Sequence, residues 1–179
     1  KECGRRFRKV QHWVPLSHIP KETMNAIIVA EDGTFWSHGG FDWFEFRESM
    51  LRNIKEFRFV RGASTITQQL VKNLYLSSSK DPLRKFQEWI LTWRIENTLS
   101  KPRILEVYLN VIEGGDGIYG IEAAAQRYFR KPASELTRGE SARLAAVIPN
   151  PKRYRADSDS RFVLLRTKLI LNRMEARGY

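Results

Sequence analysis

Helix punctuation recurs along almost the whole chain, and it constrains the fold more than any other feature of the sequence. Pro20 precedes a segment in which Met24, Ile27, Ile28 and Glu31 fall at helical spacing. Thr65 and Gln68 have the spacing of a capping box, and Ile66, Leu70 and Leu74 follow as an i, i+4, i+8 stripe. Asp81 and Pro82 read as the cap and first residue of a helix with Leu83, Phe86, Ile90 and Trp93 as its expected buried seam. A further helix starts after Ser100 in "SKPRILEVYLN", "GGDG" at 114–117 interrupts the chain, and "YGIEAAAQRYF" rebuilds a helix of small residues able to pack closely. A second capping box, Thr137 to Glu140, opens a helix that ends near Pro149 and Pro151. Phe162, Leu165, Leu169 and Met174 predict a closing helix.

Alternating runs are few, and there is neither an internal repeat nor a low-complexity tract, so the chain reads as mainly α. At 179 residues and 42% apolar content, it is long enough to bury one real core, and a single domain over 1–179 is expected. Lysine and arginine outnumber aspartate and glutamate by 31 to 20, a net charge of +11 that favours anionic partners such as phospholipid headgroups, nucleic acid or a phosphorylated substrate. No run approaches the roughly twenty apolar residues of a membrane-spanning helix. Cys3 is the only cysteine and permits no internal disulfide. His12, His18 and His38 include no pair at helical ligand spacing, so no protein metal site is expected. No glycine-rich run ends in Lys-Ser or Lys-Thr, which argues against nucleotide binding.

Two carboxylates stand out. Glu31 continues an apolar stripe where another aliphatic side chain would be expected, so it either caps or salt-bridges a helix end or, being desolvated, works as a proton acceptor or donor near neutral pH. Asp32 and His38 read as groups that hold the surrounding loop. Glu88 follows Arg84 by four residues and Lys85 by three, which is ordinary ion-pair spacing. Yet two acids from different helices are also what glycosyl chemistry requires, one to move a proton and one to manage charge at the sugar. The stretch "RGASTITQQLVKN" puts small and hydroxyl residues before a helix start, where free amides and the helix dipole favour an anion, with Lys72 one turn beyond Gln68 to hold a phosphate or sugar. Aromatics from Phe35 to Phe59, interleaved with Arg47, Arg52, Lys55 and Arg58, suit either a core or a surface resting on anionic lipid.

These segments carry a family resemblance. "EDGTFWSHGGFDW", "RGASTITQQLVKN", "RKFQEWILTWRIE" with "SKPRILEVYLN", and "YGIEAAAQRYFRKPASELTRGESARLAAVIPNPKRY" resemble, in order, the motifs of the peptidoglycan glycosyltransferases. That family is shared with class A penicillin-binding proteins, and the likeness is strongest to its monofunctional members. The resemblance covers about residues 13–155. It implies a mainly α, lysozyme-like domain with a small membrane-facing jaw lobe at about 40–76. It further implies an enzyme that polymerises lipid II into β-1,4 glycan strands, with inversion at the anomeric carbon and release of undecaprenyl pyrophosphate. Carried over residue by residue, it makes Glu31 the general base and Glu88 the second essential acid, and it places Asp32, Ser64, Gln68, Gln69, Lys72, Asn73, Arg84 and Lys85 in substrate binding.

The same resemblance implies no obligatory cofactor, while leaving room for Mg²⁺ or Mn²⁺. Its implied partners are lipid II, the growing glycan strand and an anionic membrane surface, with other cell-wall synthesis and division proteins as candidates. It implies a location at the bacterial inner membrane with the catalytic domain on its outer, periplasmic face, the family's usual N-terminal anchor lying outside this sequence. No transpeptidase segment is recognisable. Two other classes fit part of this pattern. A lytic hydrolase of neutral glycan would not need the cluster around Lys72, and a nucleic-acid-binding domain would concentrate its cations along a recognition element rather than spread them over every helix.

Overall fold

The helix after Pro20 forms as its apolar spacing predicts. In the computed structural model, which describes residues 9–43, 47, 64–75 and 82–179, it runs Lys21–Glu31 (α1). The other described α-helices are Ile66–Tyr75 (α2), Pro82–Thr98 (α3), Lys101–Val111 (α4), Ile121–Phe129 (α5), Arg138–Val147 (α6) and Arg161–Ala176 (α7). The chain is mainly helical, as the punctuation predicts.

Small residues decide which helices approach most closely. Ala142, Ala145 and Ala146 of α6 are fully buried, and α6 packs against both α1 and α7. With little side-chain bulk between them, backbones can come near one another, and the hydroxyls of Thr23 and Ser141 meet at 2.8 Å across the α1–α6 contact. α2 packs on α3 and α4, and Ile66, Leu70 and Leu105 join Ile27, Ile28 and Phe35 in one continuous core. Burying one such aliphatic side chain stabilises the fold by about 2 kcal/mol.

Both expected capping boxes are present. Thr137 Oγ1 accepts from the Glu140 amide while the Glu140 carboxylate accepts from the Thr137 amide. At the start of α2, Gln68 N donates to Thr65 Oγ1 at 3.2 Å and Thr65 N donates to Gln68 Oε1 at 3.0 Å. Each cap is worth about 1 kcal/mol.

The "GGDG" break is the turn of a small sheet. Glu113–Gly115 (β2) pairs antiparallel with Ile118–Tyr119 (β3), and Val10–Gln11 (β1) lies parallel to β3 with Val10 opposite Ile118. Asn110 ties this sheet to the helices: its side chain accepts from Val14 N at 2.8 Å and donates to Val14 O at 2.9 Å. Gly120 opens α5 at φ +84°, and a Cβ there would lie 2.7 Å from the Asn110 carbonyl oxygen. No other residue fits that turn without strain.

Three apolar stripes are arranged differently from the sequence expectation. On α3, Leu83, Phe86, Ile90 and Trp93 are all exposed, whereas Glu88 and Thr92 are buried and Glu96 keeps little exposure. The helix is turned so that its polar stripe faces α2 and the 33–40 loop. Its two acids are satisfied there: Glu96 accepts from Thr67 Oγ1 and from Lys101, and Glu88 is paired within its own helix. On α7 Met174 is buried as expected, but Leu165 and Leu169 are exposed and the rest of the seam runs one position on, through Val163 and Ile170. On α2, Leu74 is exposed because the stripe runs off the end of the packed surface.

Of the expected lobe at about 40–76, residues 44–46, 48–63 and 76 lie outside the described residues, as do Cys3 and Asp81. Among the described residues no helix is long and apolar enough to cross a membrane.

Candidate active site

Glu31 is the last residue of α1, and its side chain is only 9% exposed. Its two oxygens are held from two other helices. Gln69 Nε2 on α2 donates to Oε2 at 3.0 Å, and Arg166 Nη2 on α7 donates to Oε1 at 3.2 Å. Burial lifts the carboxyl above its ordinary value of 4.5, while the Gln69 hydrogen bond, the charge and hydrogen bond of Arg166 and the charge of Lys72 pull it down. The result is a carboxyl poised to exchange a proton closer to neutrality than an exposed glutamate does.

Behind Gln69 lies Tyr108 of α4, fully buried, whose hydroxyl donates to Gln69 Oε1 at 3.0 Å. Burial first, then the nearby carboxylates of Glu31 and Asp32, push the phenol well above its ordinary value of 10.0. Tyr108 is therefore a fixed O–H donor at any working pH.

Asp32 is buried and fully engaged inside the protein. Its Oδ1 meets His38 Nε2 at 2.8 Å, and its Oδ2 accepts from Ile66 N at 2.9 Å. His38 Nδ1 in turn accepts from Gly40 N at 3.0 Å, which assigns the donor hydrogen to Nε2. The start of α2 was expected to attract an anion, and the anion seated there is the chain's own Asp32 carboxylate. Gly40 completes the junction. It has φ +90°, its carbonyl accepts from Thr65 Oγ1 at 2.7 Å, and a Cβ would lie 2.7 Å from Glu96. "EDGTFWSHGG" is thus a wired loop that fixes the end of α1 against the start of α2 and the C-terminal half of α3.

The second acid sits apart from the first in its bonding. Glu88 is 3% exposed and accepts from Arg84 at 3.3 Å and from Lys85 at 2.5 Å. Arg84 and Lys85 keep partial exposure, so this cationic pair is neutralised on one side and open on the other.

The structure therefore brings Glu31, Gln69 and Lys72 together, and separately gathers Glu88, Arg84 and Lys85. Gln68 spends its Oε1 on the cap of α2. Ser64 is half-buried just before that helix, and Lys72 and Asn73 are exposed on it. Arg166 and Tyr108 were not read from the sequence as site residues. For Arg166 a signal existed: it lies three residues after Val163 and four before Ile170, a cation on the buried side of its helix, the same anomaly that drew attention to Glu31. Tyr108 carries no such mark, because a tyrosine on an apolar stripe is ordinary.

The family model described as Transglycosylase matches residues 2–175. The chain belongs to the transglycosylase family. A biosynthetic peptidoglycan transglycosylase of Thiobacillus denitrificans is 51% identical over 158 residues, covering 88% of this chain and 68% of that protein. Proteins of the same description from Laribacter hongkongensis and Shigella sonnei are 46% and 48% identical, covering 90% and 96% of this chain and 71% and 72% of their own lengths. Family membership makes this transglycosylase domain a glycosyltransferase enzyme of peptidoglycan and cell-wall biosynthesis.

The two clusters differ in what their chemistry can do. A desolvated, hydrogen-bonded carboxyl suits proton transfer, and a cationic group beside a buried acid suits an anionic leaving group. Among the described residues, Phe41, Trp43, Trp89, Ile90 and Trp93 line an apolar hollow of about 400 Å³ on the exposed face of α3.

Proposed function

We propose that this chain polymerises lipid II, with Glu31 as the general base. The observation that carries the reading is the Glu31 carboxyl, buried at the end of α1 yet held by Gln69 and Arg166 with Lys72 nearby. Glu31 takes the proton of the acceptor sugar's 4-hydroxyl as that oxygen attacks the donor's anomeric carbon. The bond from that carbon to the pyrophosphate oxygen breaks, and undecaprenyl pyrophosphate leaves with the electron pair. A single displacement inverts the anomeric centre and yields a β-1,4 linkage.

Lys72, Arg84 and Lys85 are suited to offset the leaving pyrophosphate's charge, with Ser64, Gln68, Gln69 and Asn73 completing the donor site. Asp32 supports that site by joining α1 to α2. No cofactor is required in this scheme. A Mg²⁺ or Mn²⁺ ion on Glu88 would first have to displace Lys85 and Arg84 from its oxygens, so the residues as arranged do not fit a metal, and no step is assigned to one. The exposed aromatics of α3, together with the net charge of +11, support attachment to an anionic membrane surface, which for this substrate is the outer, periplasmic face of the bacterial inner membrane.

Purified protein incubated with labelled lipid II in detergent, beside Glu31→Gln, tests the proposal on a gel. A ladder of glycan strands from the wild type alone is the expected result. No ladder, with release of label from preformed glycan, replaces it with a lytic enzyme.

A further inference from the structure

A glutamine side chain between two oxygen groups can present either end to either neighbour, and the choice matters when one neighbour is a base. An amide N–H directed at Glu31 favours its carboxylate, whereas an amide oxygen directed at Glu31 favours its protonated form, which alone has a hydrogen to donate. Glu31 does not settle the orientation by itself, because its two protonation states accept opposite answers.

Tyr108 settles it. Its phenol is fully buried and remains protonated, so its O–H needs an acceptor inside the protein, and the one it meets is Gln69 Oε1 at 3.0 Å. With Oε1 committed, Nε2 faces Glu31 at 3.0 Å. We propose that Tyr108 is a positioning residue, setting the orientation of the Gln69 amide and through it presenting an N–H donor to Glu31. The proposal rests on the reading of Glu31 as the base.

Other charged groups act on Glu31 and remain in place when Tyr108 is changed. Arg166 faces it from α7 and Lys72 from α2. Asp32 follows it in sequence and is itself bonded to His38 and to the α2 backbone. Among the described residues, the hydrogen bond across the α1–α6 contact is the uncharged pair Ser141 and Thr23. Deleting the Tyr108 hydroxyl therefore changes one thing near Glu31, the constraint on the Gln69 amide. Freed, the amide turns its oxygen toward a protonated Glu31, and proton removal becomes harder.

Turnover at saturating lipid II, measured across pH for wild type, Tyr108→Phe, Gln69→Met, the double variant and Glu31→Gln, tests this. Tyr108→Phe is expected to move the acid limb of kcat upward by about one pH unit, the size of losing one hydrogen bond to a charged group. KM should stay within about twofold, since no substrate contact is removed. Gln69→Met should move the limb in the same direction, and the double variant no further than Gln69→Met alone, because Tyr108 acts only through Gln69.

A limb that stays in place while kcat falls equally at every pH overturns the proposal, as do shifts that add in the double variant. If Tyr108→Phe does not fold, Gln69→Met carries the test, and an unmoved limb there is equally decisive against it. Glu31→Gln that keeps turning over removes the base reading and this proposal together. An inactive Glu31→Gln beside an unmoved limb in the other variants defeats only the positioning role.

Discussion

Arg166 Nη2 lies 3.2 Å from Glu31 Oε1, joining the middle of the last helix to the end of the first across 135 residues of chain. The proposed base is thus held by the fold's closing element, so a defect in docking of α7 is felt at the site. Arg166 side-chain exposure is 28%, which leaves solvent to screen part of the attraction, and its Nε is buried with no hydrogen-bond partner among the described residues. Replacement by methionine keeps the stem and removes the charge and the hydrogen bond, both of which lower the Glu31 pKa. The expected outcome is an acid limb of kcat displaced upward by on the order of one pH unit. Arg166→Lys should recover most of the displacement, since it restores the charge. A pH–rate profile of the three proteins checks this, and superimposed limbs would separate Arg166 from the base.

Glu31 should also set a pH dependence of stability. Its folded pKa is raised above the unfolded value, so between those two values the folded state binds more protons than the unfolded one. Stability therefore falls as pH rises from about 4.5 through the folded pKa, and the loss is complete above it. Glu31→Gln removes this titration while keeping the shape and an acceptor for Gln69 or Arg166. The variant is expected to melt higher than wild type at pH 8, with the difference shrinking as pH falls toward 4. Thermal unfolding followed by circular dichroism across that range provides the measurement, and a variant that melts lower at pH 8 would mean that the paired carboxylate stabilises the fold instead.

Much of this architecture could be read from local signals, and the failures share one cause. Thr65 with Gln68, and Thr137 with Glu140, announced helix starts because a cap is a contact over three residues and is fully written in the sequence. Glu31 was visible because it breaks an apolar stripe. The direction in which a stripe faces depends on what the rest of the chain places opposite it, and there the reading failed. α3 turns Glu88, Thr92 and Glu96 inward because Thr67, Lys101 and its own Arg84 and Lys85 satisfy the acids. The link from Tyr108 through Gln69 to Glu31 joins three helices, and its members have no spacing in common that a sequence could display.

The inverted face of α3 leads to the last prediction. Phe86 and Trp93 are each 61% exposed, and Ile90 between them is 43% exposed. Had these residues formed the buried seam, changing one to serine would cost about 3 kcal/mol or more. Exposed as they are, Phe86→Ser and Trp93→Ser should change stability by no more than about 0.5 kcal/mol. Their effect belongs to the surface they form with Trp89 and the neighbouring hollow. Sedimentation with vesicles containing anionic phospholipid should show weaker association for the double variant than for wild type at the same salt concentration. Raising the salt should weaken both, because the cationic contribution is screened within about 10 Å at 0.1 M ionic strength. A double variant that unfolds would restore the seam to the core, and one that is folded and binds vesicles as well as wild type would remove α3 from the membrane contact.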